Sequence, residues 1–472
     1  MYYNKFSHGV RRRCLAAGSR ARGVRRQRLA AGSKTRGAGR WRVAAGSLSF
    51  GLSRELWLVE AGIFLNMLGY GAVLPFEVIY LHDGRGFSLG VAGLVVGTIT
   101  GVAVVTAPAA GPLIDRFGAR TTSVGAGIAL AAGYAGLAFA HSPAQAFAGA
   151  VLAGAGNGAL NPSQLTLVAT LAPADMRHRA TAVSRVAGNA AMGIGGALGG
   201  LVAVYGLPGF VLLFLANAVS YLVYAGVLAA VVRHQTRPES RTGGYRRVLR
   251  DTAFVHLAVT NVAMIAVGWG VFTWVLPPYA RNEIGISAPL IGLLLLANAA
   301  TVVVAQVPVA KLAEGRRRVI LIAVAAVLFV AACLLVAVAP RDTGAAYLPL
   351  VVASIAVGIG ECFHTTALMP LVADLAPASL RGRYMAAMGF SWWIGLAIGP
   401  TLGTQLLGVA PSAAFLAAAG VATAAAVSAL ALESRLPPAV RLTPRPGGSP
   451  SPRRSARSEP AQTLARTRKE HG

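Results

Sequence analysis

The stretch Leu167-Val-Ala-Thr-Leu-Ala-Pro-Ala-Asp-Met-Arg-His-Arg179 returns in the second half of the chain as Leu371-Val-Ala-Asp-Leu-Ala-Pro-Ala-Ser-Leu-Arg-Gly-Arg383. The register holds on both sides of it. Upstream, Gly154, Gly156 and Asn157 fall opposite Gly358, Gly360 and Glu361; downstream, Gly195 and Gly199 fall opposite Gly399 and Gly403. Around these copies lie twelve apolar segments, running from Leu56–Leu81 to Ser412–Leu432. Each has roughly twenty residues, enough to cross a hydrocarbon layer about 30 Å thick. Lipid offers the backbone no hydrogen-bond partners, so each segment is expected to be a helix. The expected fold is an all-α membrane protein with twelve transmembrane helices in two parallel-repeat six-helix bundles. Parallel halves about an axis along the membrane normal place a solute site at midplane between them.

Composition agrees. Of 472 residues, 55% are hydrophobic and only 12% charged, too few to cover a soluble surface of this size. The formal charge of +27 resembles a nucleic-acid signal until its distribution is seen. The cations crowd into both ends and a few short loops, with no folded basic surface carrying aromatics for bases to stack on. Nucleic acid is therefore excluded as a partner. Cys14, Cys333 and Cys362 are far apart and lack metal-ligand spacing, so neither a disulfide framework nor a metal site is expected. No cofactor motif appears, and no Ser–His or paired-Asp constellation suggests an enzyme. Arg far outnumbers Lys, and Ala and Gly abound, which points to a GC-rich bacterial genome.

The domain boundaries follow from the charge runs. Residues 1–50 form a basic low-complexity tail in which Cys14-Leu-Ala-Ala-Gly-Ser19, Arg28-Leu-Ala-Ala-Gly-Ser33 and Arg42-Val-Ala-Ala-Gly-Ser47 recur. With no apolar face to bury, this tail is expected to be disordered, or to be translated from a start codon set too far upstream. The functional alternative is a basic arm resting on anionic lipid. Residues 51–232 make the first bundle, 233–252 a basic linker, 253–434 the second bundle, and 435–472 a Pro- and Arg-rich tail expected to be disordered. Alternate loops carry Arg116 and Arg120, Arg177 and Arg179, Arg233 to Arg250, Lys311 to Arg318, and Arg381 with Arg383. The intervening loops offer only Arg85, Arg281 and Arg341, each within two residues of an acid. The positive-inside rule then makes both termini cytoplasmic, in a multi-pass protein of a bacterial inner membrane.

Gly111-Pro-Leu-Ile-Asp-Arg-Phe-Gly-Ala-Arg120, between the second and third segments, resembles the signature loop of the major facilitator superfamily. With the repeat, the resemblance covers the chain outside its tails. It implies a transporter that rocks between inward- and outward-facing states. Gly111 and Gly118 would permit close approach and a tight turn. Asp115, Arg116 and Arg120 would gate, with Asp115 meeting a helix N-terminus or an Arg across the two halves. The second copy, Ala310-Lys-Leu-Ala-Glu-Gly-Arg316, is degenerate, with Glu314 in place of the aspartate. Gly195-Gly-Ala-Leu-Gly-Gly200 is similar to the glycine-rich motif of the twelve-span drug/proton antiporters, with Gly196 where that motif has proline. Gly399-Pro400-Thr-Leu-Gly403 keeps the proline. These positions are hinge or packing candidates. The arginine that the family's fourth span carries before Gly154 is replaced by Ala150, which removes the usual coupling residue.

Ionisable residues within spans are costly, so those present are functional suspects. Glu361 lies midway along the tenth segment, where a carboxyl can take and release a proton. His364, on a neighbouring position of that segment, and Glu77, after Pro75 near the outer end of the first, are further proton-coupling candidates. Asn157, Asn161 and Gln164 can hydrogen-bond a solute. Trp269, Phe272 and Trp274, with Trp392 and Trp393, can wall a cavity for an apolar or cationic solute. No phosphate-binding Gly-x-x-x-x-Gly-Lys loop is present, so ATP is not the expected energy source. The leading expectation is proton-coupled efflux of a small apolar or cationic solute by a monomer embedded in the bilayer. A nutrient or metabolite importer and a non-transporting membrane sensor are the alternatives.

Overall fold

The computed structural model describes residues 53–171, 177–232, 246–377 and 380–443. The N-terminal tail, most of the 233–252 linker and residues 444–472 lie outside them. Ten helices among the described residues are long and apolar enough to cross a bilayer. One of these, Leu89–Ala138, is two spans joined where Gly118 adopts φ 83° and ψ 155°. Pro143–Leu171, 29 residues rich in small side chains, completes a set of twelve. In chain order they are α1 (Arg54–Val73, continued by irregular turns to Gly84), α2 and α3 (89–117 and 119–138), α4 (Pro143–Leu171), α5 (Arg177–Ala203) and α6 (Leu207–Val231). The second half comprises α7 (Thr252–Ile265, continued by a π turn to Asn282), α8 (Ala288–Ala313), α9 (Arg318–Ala337), α10 (Thr343–Leu375), α11 (Arg381–Val409) and α12 (Pro411–Leu432). No strand occurs among the described residues, whose one β-type pairing is the isolated bridge between Arg317 and Leu442.

Polar caps start several helices. Ser53 accepts from Leu56 N at 3.2 Å, Ser88 from Val91 N at 3.3 Å, Asp251 from Ala253 N and Phe254 N at 3.1 Å, and Asp342 from Ala345 N at 3.1 Å. Each satisfies backbone donors that a helix leaves open, a contribution of about 1 kcal/mol.

The signature stretch differs from its sequence reading. Residues 111–117, expected in a loop, continue α2, and Gly118 alone makes the turn. A positive φ is nearly free for glycine, so one residue suffices where an ordinary connection needs several. Gly118 thus does what the motif suggests. Gly111 does not in this conformation: a Cβ there would meet open space.

The two halves repeat their packing. In the first, α1 packs on α5 and α6; in the second, α7 packs on α11 and α12. Small residues let the backbones close. A Cβ on Gly195 or Gly199 would collide with the α1 carbonyls of Leu68 or Ala72, and one on Gly399 with Gly270 of α7. Gly403 packs on Val275, and Pro400 lies within α11 without ending it. Between halves, α5 meets α8 and α2 meets α11. Gly196, the departure from the proline motif, packs on Leu295 of α8, and Gly93 and Gly97 pack on Thr404 and Thr401. All these contacts lie in the half of each helix remote from the basic loops. The contacts between halves named here therefore close the opposite face; none of them lies at the basic face.

Residues 435–443 also depart from the expectation of a disordered tail. Leu436 and Val440 are buried, Arg318 N donates to Arg441 O at 2.8 Å, and Thr443 N donates to Arg316 O at 3.0 Å. This strap is held by apolar side chains at every fourth position, a signal easily lost in a Pro-rich run.

Candidate functional site

A cavity of about 370 Å³ lies between the halves at mid-depth, a size suited to a small organic molecule. The seven residues named from sequence as cavity candidates all line it: Asn157, Asn161 and Gln164 from α4, Trp269 and Trp274 from α7, and Trp392 and Trp393 from α11. Glu361 of α10 joins them. The sequence reading missed Tyr70, Asn189, Tyr221 and Gln306, which also face it. They are isolated polar residues on four different helices, with no local pattern to draw them together. Trp269 sits on the α7 π turn Ala266–Val271, and its ring lies 4.8 Å from that of Trp392 and 6.3 Å, edge-on, from Phe329. A π turn offsets the following residues around the helix, and such turns are frequent at functional sites.

The lining includes no Arg or Lys. Its one acid is Glu361, 9% exposed. Asn298 Nδ2 of α8 donates to Glu361 Oε1 at 3.1 Å and to Ser354 O at 3.3 Å. The other carboxyl oxygen has no partner among the described residues. Glu361 also borders a second, smaller crevice of about 40 Å³, lined by Pro75, Thr273, Leu276, Pro277, Asn298 and Ser354, which extends toward the opposite face. This one carboxyl therefore borders both the central cavity and the smaller crevice.

Glu77 is buried, 3% exposed, where the chain after α1 turns through Leu74–Phe76 with Pro75 at its start. It accepts from Tyr134 OH of α3 at 3.0 Å and from Trp274 Nε1 of α7 at 2.7 Å. The second bond crosses between the halves. It is backed nearer the opposite face by Gln405 Nε2 donating to Gly90 O at 3.1 Å and by Arg281 with Asp83 at 3.9 Å. Glu77 thus bonds across the halves on the closed side and is not among the residues lining the cavity.

His364 departs from the expectation. It is 1% exposed, does not line the cavity, and lies behind Trp269 with ring centroids 5.7 Å apart. Three residues along a helix offset a side chain by a net angle of about 60°, and His364 packs against Trp269 instead of lining the cavity. Neither ring nitrogen has a partner among the described residues. Sequence reasoning also passed over Glu60 of α1, 3% exposed and hydrogen-bonded by Ser184 of α5. It lies six residues after Arg54, toward the basic end of α1.

The gating candidates sit at the basic face. Arg120 Nε donates to Leu228 O at 3.3 Å and its Nη2 to Ala229 O, covering the last carbonyls of α6. The Arg116 guanidinium lies 5.2 Å from the ring of Phe117. Asp115 has no hydrogen-bond or ion-pair partner among the described residues.

Comparison with known proteins bears on this architecture. The profile of the Major Facilitator Superfamily matches residues 60–265 and 258–469. An uncharacterized MFS-type transporter, YttB of Bacillus subtilis, is 28% identical over 368 residues, covering 75% of this chain and 89% of its own. Multidrug resistance protein MdtH of Salmonella typhimurium is 29% identical over 349 residues, covering 72% and 82%. Among solved structures, a mutant of the nucleoside transporter NupG superposes with a TM-score of 0.68 at 12% identity, over 80% of this chain and all of its own. A peptide transporter, POT, gives 0.66 at 18% identity, over 80% and 94%. At those identities the structural likeness speaks to the fold alone.

Proposed function

The chain belongs to the major facilitator superfamily, and on that premise we propose that it is a proton-coupled exporter of small apolar or cationic solutes. The observation that carries this reading is the position of Glu361, the one acid of the cavity among the described residues, with one oxygen held by Asn298 and the other without a partner among them. A carboxyl there attracts a cation and opposes an anion, and no Arg or Lys reverses that preference. Four tryptophans supply apolar and cation–π contact, while Asn157, Asn161, Asn189 and Gln164 supply uncharged hydrogen bonds. The similarity to MdtH, named a multidrug resistance protein, supports export.

Coupling follows from competition. A cationic solute favours ionised Glu361, and a proton displaces it. When the cavity faces the basic side the carboxyl meets that side's solution. When the halves rock, the small crevice beyond Asn298 becomes the route by which the opposite side reaches the same group. The cycle then exchanges proton for solute. Residues 51–232 and 253–434 rock as units about the 233–252 linker. The basic face is cytoplasmic by its loop charges, with both termini on that side, in a bacterial inner membrane. Each chain holds a whole cavity and works as a monomer.

The test is accumulation of tetraphenylphosphonium, a lipophilic cation, in cells with and without the protein, before and after a protonophore collapses the gradient. Lower accumulation with the protein, abolished by the protonophore, is expected. Higher accumulation that depends on the gradient would assign import instead.

A further inference from the structure

On the outer surface of the second half, away from the cavity, a groove of about 490 Å³ runs between the basic-face ends of α7 and α12. Its walls are apolar: Val255 and Val259 of α7, with Leu249 from the turn before it. Val259 and Leu249 are 64% and 67% exposed. Its floor is polar. His256 Nε2 lies 2.8 Å from Ser428 Oγ of α12, and Thr260 Oγ1 lies 2.7 Å from the same oxygen. His256 Nδ1 is buried without a partner among the described residues.

A polar cluster opening on to hydrocarbon is costly, but this one is not at mid-depth. His256 is four residues into α7, about 6 Å along the helix, at the level where headgroups meet acyl chains. The rim is cationic. Arg435 lines the groove, and Arg246, Arg247 and Arg250 are exposed just before α7. The neighbouring acids are already engaged. Asp251 caps α7 and accepts from Tyr384 OH at 2.8 Å, and Glu433 lies within 3.9 Å of Arg317 and Arg441. Neither Arg250 nor Arg435 has an acidic partner among the described residues.

We propose that this groove is a binding site for an anionic phospholipid of the leaflet at the basic face. The phosphate sits at the rim beside Arg435, with exposed Arg250 on the adjoining turn, above the His256–Ser428 floor, and an acyl chain lies along Val255 and Val259. Unpaired arginines at headgroup depth attract anionic lipid, and the groove below adds apolar contact that a free phosphate cannot use. A zwitterionic headgroup brings its own cation to the same arginines and gains less. Bound lipid would bridge α7 and α12, two helices of the half that must rock as a unit.

The experiment is thermal unfolding of the full-length protein in detergent, titrated with phosphatidylglycerol or phosphatidylcholine. Phosphatidylglycerol is expected to raise the midpoint at lower concentration than phosphatidylcholine. The Arg250→Ala/Arg435→Ala variant should need about tenfold more phosphatidylglycerol for the same rise. Val259→Trp, which fills the groove and leaves every charge, should lose the rise as well. It decides the matter alone if the arginine variant fails to express. Lys311→Ala/Arg316→Ala removes two charges elsewhere on the basic face and should behave as the parent. The inference is overturned if the two lipids act alike, if the Lys311/Arg316 variant loses as much as the groove variants, or if inorganic phosphate alone gives the same rise.

Discussion

At the scale of single residues, the two buried acids facing the interface between halves are placed for different work. Glu361 has an oxygen free for cargo or a proton, whereas Glu77 has both oxygens occupied by donors from α3 and α7. Trp274→Phe keeps an aromatic ring, smaller than the indole, and removes the bond that crosses the halves. A buried hydrogen bond to a carboxyl contributes about 1.5–3 kcal/mol, so its loss should shift the balance toward opening at the opposite face by tenfold or more. Spin labels at His141 and Asn282, exposed on different halves at that face, should report a longer distance population in Trp274→Phe. An unchanged distance distribution would show that Glu77 does not clasp the gate. The two motif glycines also separate here. Gly118→Ala forces a side chain into positive φ, costing about 1–2 kcal/mol, while Gly111→Ala adds a methyl to open space. Thermal unfolding should find the first destabilised and the second unchanged.

At the scale of elements, the second half carries an ion pair with unequal partners. Arg318, at the start of α9, is 2% exposed and donates to Asp374 of α10 at 2.6 Å, while the aspartate is half in solvent. Two further nitrogens of Arg318 lack partners among the described residues. Removing Asp374 strands a buried charge, at a cost of about 3–5 kcal/mol; removing Arg318 returns an exposed aspartate to water. Asp374→Ala should therefore lower the unfolding midpoint far more than Arg318→Met, and equal losses would contradict the asymmetry. Asp374 shows what was legible. As Leu371-Val-Ala-Asp374 it was read as half of a repeat, and the repeat correctly implied the parallel halves. Its partner at Arg318 belongs to another helix and left no mark in the spacing. The cavity divides the same way. Trp269, Trp274, Trp392 and Trp393 stood out because tryptophan is scarce, and Glu361 because acids are expensive in lipid. Asn298, which orients Glu361, and His364, which faces away, depend on helix rotation and packing that one sequence does not encode visibly. The strap after α12 is hard to see in the sequence because Leu436 and Val440 sit among prolines.

At the scale of the whole molecule, closure at the opposite face combines glycine-mediated packing of α5 on α8 and α2 on α11 with the clasp at Glu77. Opening at the basic face leaves Asp115 without a partner and Gly111 without a neighbour. On the proposed function, such features fit one end-state of a rocking cycle in which the same cavity is offered to each side in turn. What makes such a cycle concentrative is a group whose protonation is tied to the direction of opening. One proton moving down 100 mV supplies about 2.3 kcal/mol, so a carrier that loses it can equilibrate solute but not accumulate it.

The measurement that tests this most directly uses proteoliposomes holding the parent or Glu361→Gln protein. Tetraphenylphosphonium is followed first as exchange at equal concentrations, then as uphill movement under an imposed proton gradient. Glu361→Gln keeps the shape of the cavity and the amide contact with Asn298 but cannot release a proton. It is predicted to retain exchange and to lose uphill movement. Uphill movement at the parent's level in Glu361→Gln would contradict the assignment of the coupling proton to Glu361.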